Sequence, residues 1–221
     1  MDTFQKHEMF EIEVLDRLHR AKLLQPLVFG GGTMLRLCHD LPRYSVDLDF
    51  WFSKEVQEDT FFSGLRQNLE KDYQITDARM KHYTALLELR SASYPRRLKI
   101  EIRRKVVQWD AQDTIAFSRF STYQVVVRAI TLEQAMQNKL SAFLDRGEIR
   151  DCFDIEFLMR RGVALPTMDL ETIQNIRTKI QKFKFVDYRV KLGSIIEEHM
   201  RSYYISQGFS YLLEKLYSAG G

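Results

Sequence analysis

Phe29-Gly30-Gly31-Gly32-Thr33-Met34-Leu35-Arg36-Leu37, followed by Arg43-Tyr44-Ser45-Val46-Asp47-Leu48-Asp49-Phe50, is the stretch whose reading decides the fold. Leu27-Val28-Phe29 has the run of apolar residues expected of a short buried strand. Three glycines follow at once, and Thr33 to His39 then reads as a helix with Met34, Leu35 and Leu37 as its apolar contacts. From Tyr44 to Phe52 the pattern alternates. Val46, Leu48 and Phe50 fall on one face, and Ser45, Asp47, Asp49 and Trp51 on the other. The order is therefore strand, glycine turn, short helix, loop, half-exposed strand.

Reading outward, residues 3–24 are expected to form a helix ended by Pro26, and residues 61–72 an amphipathic one. Strands are expected at 84–91 and 97–105. In the second, Leu98, Ile100 and Ile102 share one face while Lys99, Glu101 and Arg103 share the other. A short extended piece spans 123–129. From Thr131 the character turns helical. Thr131-Leu132-Glu133-Gln134 fits a capping box, and the helix it opens stops at Gly147. A second helix runs from Glu148 to about Arg161 before Gly162, and residues 168–216 are mostly helical by pattern. The expected fold class is α/β (α+β). A small mixed sheet with flanking helices occupies residues 1–130, and a C-terminal helical bundle occupies residues 131–221.

Composition narrows the function classes. The chain has 221 residues, 45% hydrophobic and 29% charged, which suits folded globular domains rather than disorder. No apolar run is long enough to span a bilayer, and Met1-Asp2-Thr3 opens no signal segment. Cys38 and Cys152 lie outside any Cys-x-x-Cys spacing, so neither a zinc site nor a disulfide framework is expected, and the expected location is cytoplasmic. The five histidines show no ligand spacing. The net charge is only +3, but Arg90 to Lys105 holds seven basic residues and one acidic one. That segment reads either as a solvated strand face or as a surface that tracks phosphates. Tyr203, Tyr204, Phe209, Tyr211 and Tyr217 read as core packing, with a partner surface or base-stacking platform as the other reading.

The chemistry lies in Gly31-Gly32-Thr33, thirteen further residues, and Asp47-Leu48-Asp49. Glycines let a backbone approach a phosphate without a Cβ in the way. The helix that starts there aims its free amides and positive dipole end at the same anion. Carboxylates at i and i+2 of a strand project from one face, where they can share one or two Mg²⁺ ions with substrate phosphates. Taken alone, a triple glycine is usually a turn and an Asp-x-Asp a wet strand face; their combination in this order is harder to explain that way.

The stretch Phe29 to Leu37 with Arg43 to Phe50 resembles the signature of the polymerase-beta-like nucleotidyltransferase superfamily. More narrowly, it resembles the AbiEii/AbiGii toxin branch, to which the MenT toxins are related. The likeness covers residues from about 5 to 160. It implies that Gly31, Gly32 and Thr33, with Ser45 just upstream of the aspartates, hold NTP phosphates and that Asp47 and Asp49 bind Mg²⁺. The superfamily usually adds a carboxylate from a neighbouring strand. Glu101 stands where that third ligand or general base belongs, with Glu88 as its rival. Glu101 paired with Lys99 or Arg103 on a wet surface is the plainer reading.

Lys139, Arg146, Arg150, Asp151 and Asp154 resemble a second motif of the same branch. By that likeness Lys139 reaches the triphosphate, and Asp151 orients a basic side chain or the nucleotide. Arg150 replaces the more usual Lys, which leaves its role open beside a simple Arg150–Asp154 pair one turn apart. The resemblance implies Mg²⁺-dependent transfer of NMP from an NTP to an acceptor hydroxyl on an RNA end such as tRNA. It also implies a toxin of a type IV toxin–antitoxin or abortive-infection system, with a separately encoded antitoxin and no membrane. The alternatives are a small-molecule (antibiotic) or protein acceptor, and a non-catalytic NTP- or partner-binding module. Oligomeric state is not legible.

Overall fold

The computed structural model describes residues 1–219. The chain divides into two compact units, Met1–Thr131 and Leu132–Gly221.

The first unit is a seven-stranded mixed sheet with helices. Its elements are α1 (Thr3–Arg20), β1 (Leu27–Gly30), α2 (Gly31–His39), β2 (Asp47–Phe52), α3 (Glu58–Leu69), β3 (Gln74–Met80), β4 (Thr84–Arg90), β5 (Leu98–Arg103), β6 (Ala111–Phe117) and β7 (Gln124–Ile130). The sheet order is β3-β4-β5-β2-β1-β7-β6. β2 pairs antiparallel with β1 and parallel with β5, and β1 pairs parallel with β7. The register places Phe50 beside Phe29 and Ile102, and Leu48 beside Ile100. All five are buried, so these strands share one apolar face, and α1 adds Phe10, Leu15 and Leu18 to the core. The period of two then puts Asp47, Asp49, Trp51, Lys99, Glu101 and Arg103 together on the opposite face.

Helix α1 begins as its sequence dictates. The Asp2 side chain accepts from the Gln5 amide and the Gln5 side chain from the Asp2 amide, a complete capping box. It ends at Arg20, short of residue 24, because Lys22 takes a left-handed conformation at φ 60°. β2 starts at Asp47, three residues later than the alternation of 44–52 suggested. β3 and β6 were not expected from the sequence. They are the two outer strands of the sheet, and their mostly half-exposed or exposed residues leave no clean alternation.

The second unit is helical: α4 (Leu132–Arg146), α5 (Ile149–Arg160), α6 (Leu170–Gln181), a π-helical turn (Asp187–Leu192), α7 (Glu198–Gln207) and α8 (Ser210–Ala219). Gly147 at φ 66° and Gly162 at φ 89° end α4 and α5 as expected of helix-stopping glycines. The C-terminal aromatics divide between two roles. Tyr204 and Phe209 are buried against Phe153, Tyr188 and Phe183. The Tyr204 hydroxyl donates to the buried Glu156 carboxylate at 3.1 Å. Tyr211 and Tyr217 instead lie under the guanidinium groups of Arg160 and Arg177.

Candidate active site

The three-strand register builds the acidic face. Asp49 lies opposite Gly30 on β1 and opposite Glu101 on β5, while Asp47 lies opposite Lys99. Adjacent strands run about 4.8 Å apart, so the Asp49 and Glu101 side chains start as near neighbours. Lys99 Nζ stands 3.9 Å from Asp47 Oδ1 and 3.7 Å from Glu101 Oε1. Glu88 sits one strand further out, opposite Lys99. It is engaged by the Thr76 hydroxyl at 2.6 Å and by Arg97 Nη1 at 2.8 Å. The Thr76 hydrogen bond, helped by Arg97, holds the Glu88 carboxyl below the usual carboxylate range. Register therefore associates Glu101, rather than Glu88, with the aspartates.

The donor chemistry suits a hard divalent cation: three carboxylates on neighbouring positions of one face, with an ammonium already drawn between two of them. As the side chains stand, no group of three His, Cys, Asp or Glu residues converges on one point among the described residues.

The glycine turn is shaped by what it touches. α2 begins at Gly31, and its N-cap, Gly30, offers no side chain to the first-turn amides. Gly31 sits at φ 77°. A Cβ there would overlap the Asp49 carboxylate and lie 3.0 Å from Asp49 Cβ and Cγ. A Cβ on Gly32 would lie 2.6 Å from Arg43 Nη2 and 2.8 Å from Ser45 Oγ. Ser45 and the buried Arg43 thus border the same turn as Asp49. Arg43 Nη1 also donates to the Tyr44 carbonyl at 3.0 Å. Thr33 is the third residue of α2. It is fully buried, and its hydroxyl donates to Glu11 at 3.5 Å, so its side chain faces the core. Any phosphate contact from Thr33 falls to its backbone amide.

In the helical unit, Lys139, Arg146, Asp151 and Asp154 form one cluster. Arg146 donates from Nε and Nη2 to the two oxygens of Asp151, both at 2.7 Å. Lys139 Nζ lies 2.6 Å from Asp154 and 3.6 Å from Asp151. Both aspartates are 0% exposed, so two buried carboxylates of α5 are matched by two cations of α4. The Asp151 hydrogen bonds push the Arg146 pKa up. The alternative Arg150–Asp154 pair does not form, because the Asp154 carboxylate is turned to Lys139.

Sequence reasoning passed over His7 and Glu11. Their signal was present: two polar residues one turn apart on the face of α1 that also carries Leu15 and Leu18.

A family model described as nucleotidyl transferase AbiEii toxin, type IV toxin–antitoxin system, matches residues 13–202. Among solved structures, JHP933 from Helicobacter pylori aligns with a TM-score of 0.58 at 17% identity, over 96% of this chain and 94% of that one. A second H. pylori protein, provisionally assigned as a nucleotidyltransferase, aligns with a TM-score of 0.59 at 18% identity, over 96% and 98%. At these identities the two structures speak to the fold alone. The MenT4 nucleotidyltransferase toxin of Mycobacterium tuberculosis H37Rv matches more loosely, with a TM-score of 0.47 at 14% identity over 97% and 95%. The comparison with curated proteins finds no significant match.

Proposed function

Because the chain belongs to the AbiEii family of nucleotidyltransferase toxins, we propose that it moves a nucleotidyl group from an NTP to a hydroxyl of an RNA, using the face that carries Asp47, Asp49 and Glu101. The observation that carries this reading is the register: Gly30, the residue before α2, lies opposite Asp49, and Asp49 lies opposite Glu101. Family membership makes the protein an enzyme, and the non-catalytic reading is set aside.

Asp47, Asp49 and Glu101 would hold Mg²⁺. When bound, the metal would supply charge neutralisation at the phosphates and acidify the acceptor hydroxyl. The protein's own groups do the rest. The uncapped amides at the start of α2 hold the phosphates, with Gly31 and Gly32 allowing close approach. Glu101 accepts the proton of the acceptor hydroxyl. The freed oxygen forms a bond to the α-phosphorus as the bond to the leaving oxygen breaks, and pyrophosphate departs. Ser45 and Arg43, packed on Gly32, fix the turn from below.

Lys139 and Arg146 are kept as phosphate-binding candidates, in the roles the family resemblance gives them. Their charges are already matched by Asp151 and Asp154, so their measurable duty in the helical unit is to join α4 to α5. An RNA acceptor suits the exposed Arg90, Arg103 and Lys105, of which Arg103 shares the face of Glu101. A cognate antitoxin and a type IV system follow from the family's description and form part of the proposal. No helix among the described residues is long and apolar enough to cross a membrane.

The test is to incubate the protein with each α-³²P-labelled NTP, Mg²⁺ and total cellular RNA, and resolve the RNA on a denaturing gel. Label that appears with one NTP and disappears in Asp47→Asn supports the reading. Unlabelled RNA, with label instead on an aminoglycoside or a protein, would move the acceptor to another class.

A further inference from the structure

Helix α1 buries three polar side chains, His7, Glu8 and Glu11, at 0%, 4% and 1% exposure. Buried polar groups cost free energy unless they are hydrogen-bonded, so the partners of these three show what the burial is for. Glu8 serves the core. It accepts from Arg36 Nε at 2.9 Å and from the Ser118 hydroxyl at 2.6 Å.

His7 and Glu11 reach elsewhere. His7 Nε2 donates to the Val46 carbonyl at 3.0 Å, and that carbonyl belongs to the peptide that leads into Asp47. Glu11 Oε1 accepts from the Thr33 hydroxyl at 3.5 Å, and Thr33 is the third residue of α2. The two side chains are themselves 3.6 Å apart, one helical turn from each other.

We propose that His7 and Glu11 are positioning residues, a one-turn clamp on α1 that fixes the spacing between Asp47 and the first turn of α2. The inference rests on the reading of that carboxylate face and turn as the reaction centre.

The need for such a clamp follows from the chain path. Asp47 is the first residue of β2, and the segment between His39 and Asp47 forms no helix or regular strand. A strand's first residue frays unless its neighbouring peptide is held. The His7 bond to Val46 holds that peptide from the core side. Thr33 ties the same helix to the helix that carries the phosphate turn. In catalysis a misplacement of about 1 Å costs on the order of a hundredfold.

Charge is arranged to suit the role. Burial pushes the Glu11 carboxyl well above its ordinary range, with Glu8 and Asp47 adding to the push. Burial also lowers His7. Both shifts favour the uncharged forms, which limits the charge that the clamp places beneath Asp47. A neutral His7 that donates from Nε2 leaves Nδ1 unprotonated, which matches the lack of any hydrogen-bond partner at that buried atom.

The experiment uses the full chain and four variants. His7→Phe and Glu11→Met remove the hydrogen bonds; His7→Gln and Glu11→Gln retain a donor or acceptor at similar reach. Folding is checked by circular dichroism, Mn²⁺ binding without nucleotide by electron paramagnetic resonance, and local order by amide hydrogen exchange. His7→Phe and Glu11→Met are expected to bind Mn²⁺ about ten- to a hundredfold more weakly than wild type. Their exchange should quicken around residues 31–34 and 44–47, and the Gln variants should recover most of both losses. Folded His7→Phe and Glu11→Met proteins with wild-type Mn²⁺ binding and exchange would overturn the clamp, as would Gln variants no better than the apolar ones. If His7→Phe fails to fold, His7→Asn replaces it; its shorter donor should give weaker binding and faster exchange than His7→Gln, and equality of the two overturns the proposal. Wild-type Mn²⁺ binding that ignores Asp47→Asn would instead refute the carboxylate site, while the exchange data would still judge the clamp.

Discussion

Replacing Gly31 by Ala perturbs the site through one methyl group, and its cost follows from the geometry. At φ 77° an L-residue pays about 1–2 kcal/mol for the left-handed conformation. The methyl overlaps the Asp49 carboxylate and lies 3.0 Å from Asp49 Cβ and Cγ, a crowding of the kind that costs about 1–3 kcal/mol. Reduced freedom of the unfolded chain returns about 0.4–1 kcal/mol. The net loss is roughly 1–5 kcal/mol, or on the order of 2–20 °C in Tm for a chain of this size. The function should suffer more than the fold, because relief comes from turning Asp49 away, and a shift of about 1 Å costs on the order of a hundredfold in rate. Gly64→Ala is the control: nothing lies within 4 Å of its Cβ and it sits in the interior of α3. That substitution should stabilise the protein by about 0.5–1 kcal/mol and leave the rate unchanged. Urea unfolding and nucleotide transfer, measured on both variants, decide the matter. A Gly31→Ala protein with wild-type stability and wild-type rate would refute the reasoning.

Three other perturbations probe separate parts of the account. Asp151→Asn weakens the charge-assisted fork to Arg146 and should lower stability by about 1.5–3 kcal/mol in chemical denaturation; no change would mean that the cluster does not join α4 to α5. Burial raises the folded Glu11 carboxyl above its ordinary value of 4.5, so its contribution is complete below that pH and is lost as pH rises through its folded pKa. His7 behaves oppositely: its contribution is present above 6.5 and is lost as pH falls through its lowered folded pKa. Glu11→Gln should therefore flatten the fall in stability as pH rises above 4.5, and His7→Gln the fall as pH drops below 6.5, as read from urea midpoints across pH; unaltered slopes would contradict the burial argument. Lys99 competes with any added cation for Asp47 and Glu101, so Lys99→Met should tighten Mn²⁺ binding severalfold, and weaker binding would assign Lys99 a supporting role instead.

Much of the first unit is legible because β2 and β5 are buried on one face only. Leu48-Asp49-Phe50 and Ile100-Glu101-Ile102 alternate because one side of the sheet meets the core and the other carries charge. The outer strands β3 and β6 escape notice because their residues are mostly half-exposed or exposed on both faces, so no period of two is written into them. The glycine turn and Asp-x-Asp spacing declare the elements that carry the carboxylates. The pairing of Asp49 with Glu101 is a matter of register between distant strands, which local sequence does not state. The His7–Val46 and Glu11–Thr33 bonds are hidden for the same reason: each joins residues far apart in the chain. In the helical unit, the spacing of Asp151 and Asp154 placed both on one helix face. It did not reveal that both would be wholly buried and shared between Lys139 and Arg146.

The most direct measurement of the central claim is pyrophosphate release from each NTP in the presence of Mg²⁺ and total RNA, for wild type, Asp49→Asn and Glu101→Gln. The account predicts release by wild type with at least one NTP, dependence on added Mg²⁺, and loss in both variants while their circular dichroism stays that of the folded protein. Release by folded Asp49→Asn at the wild-type rate would contradict it.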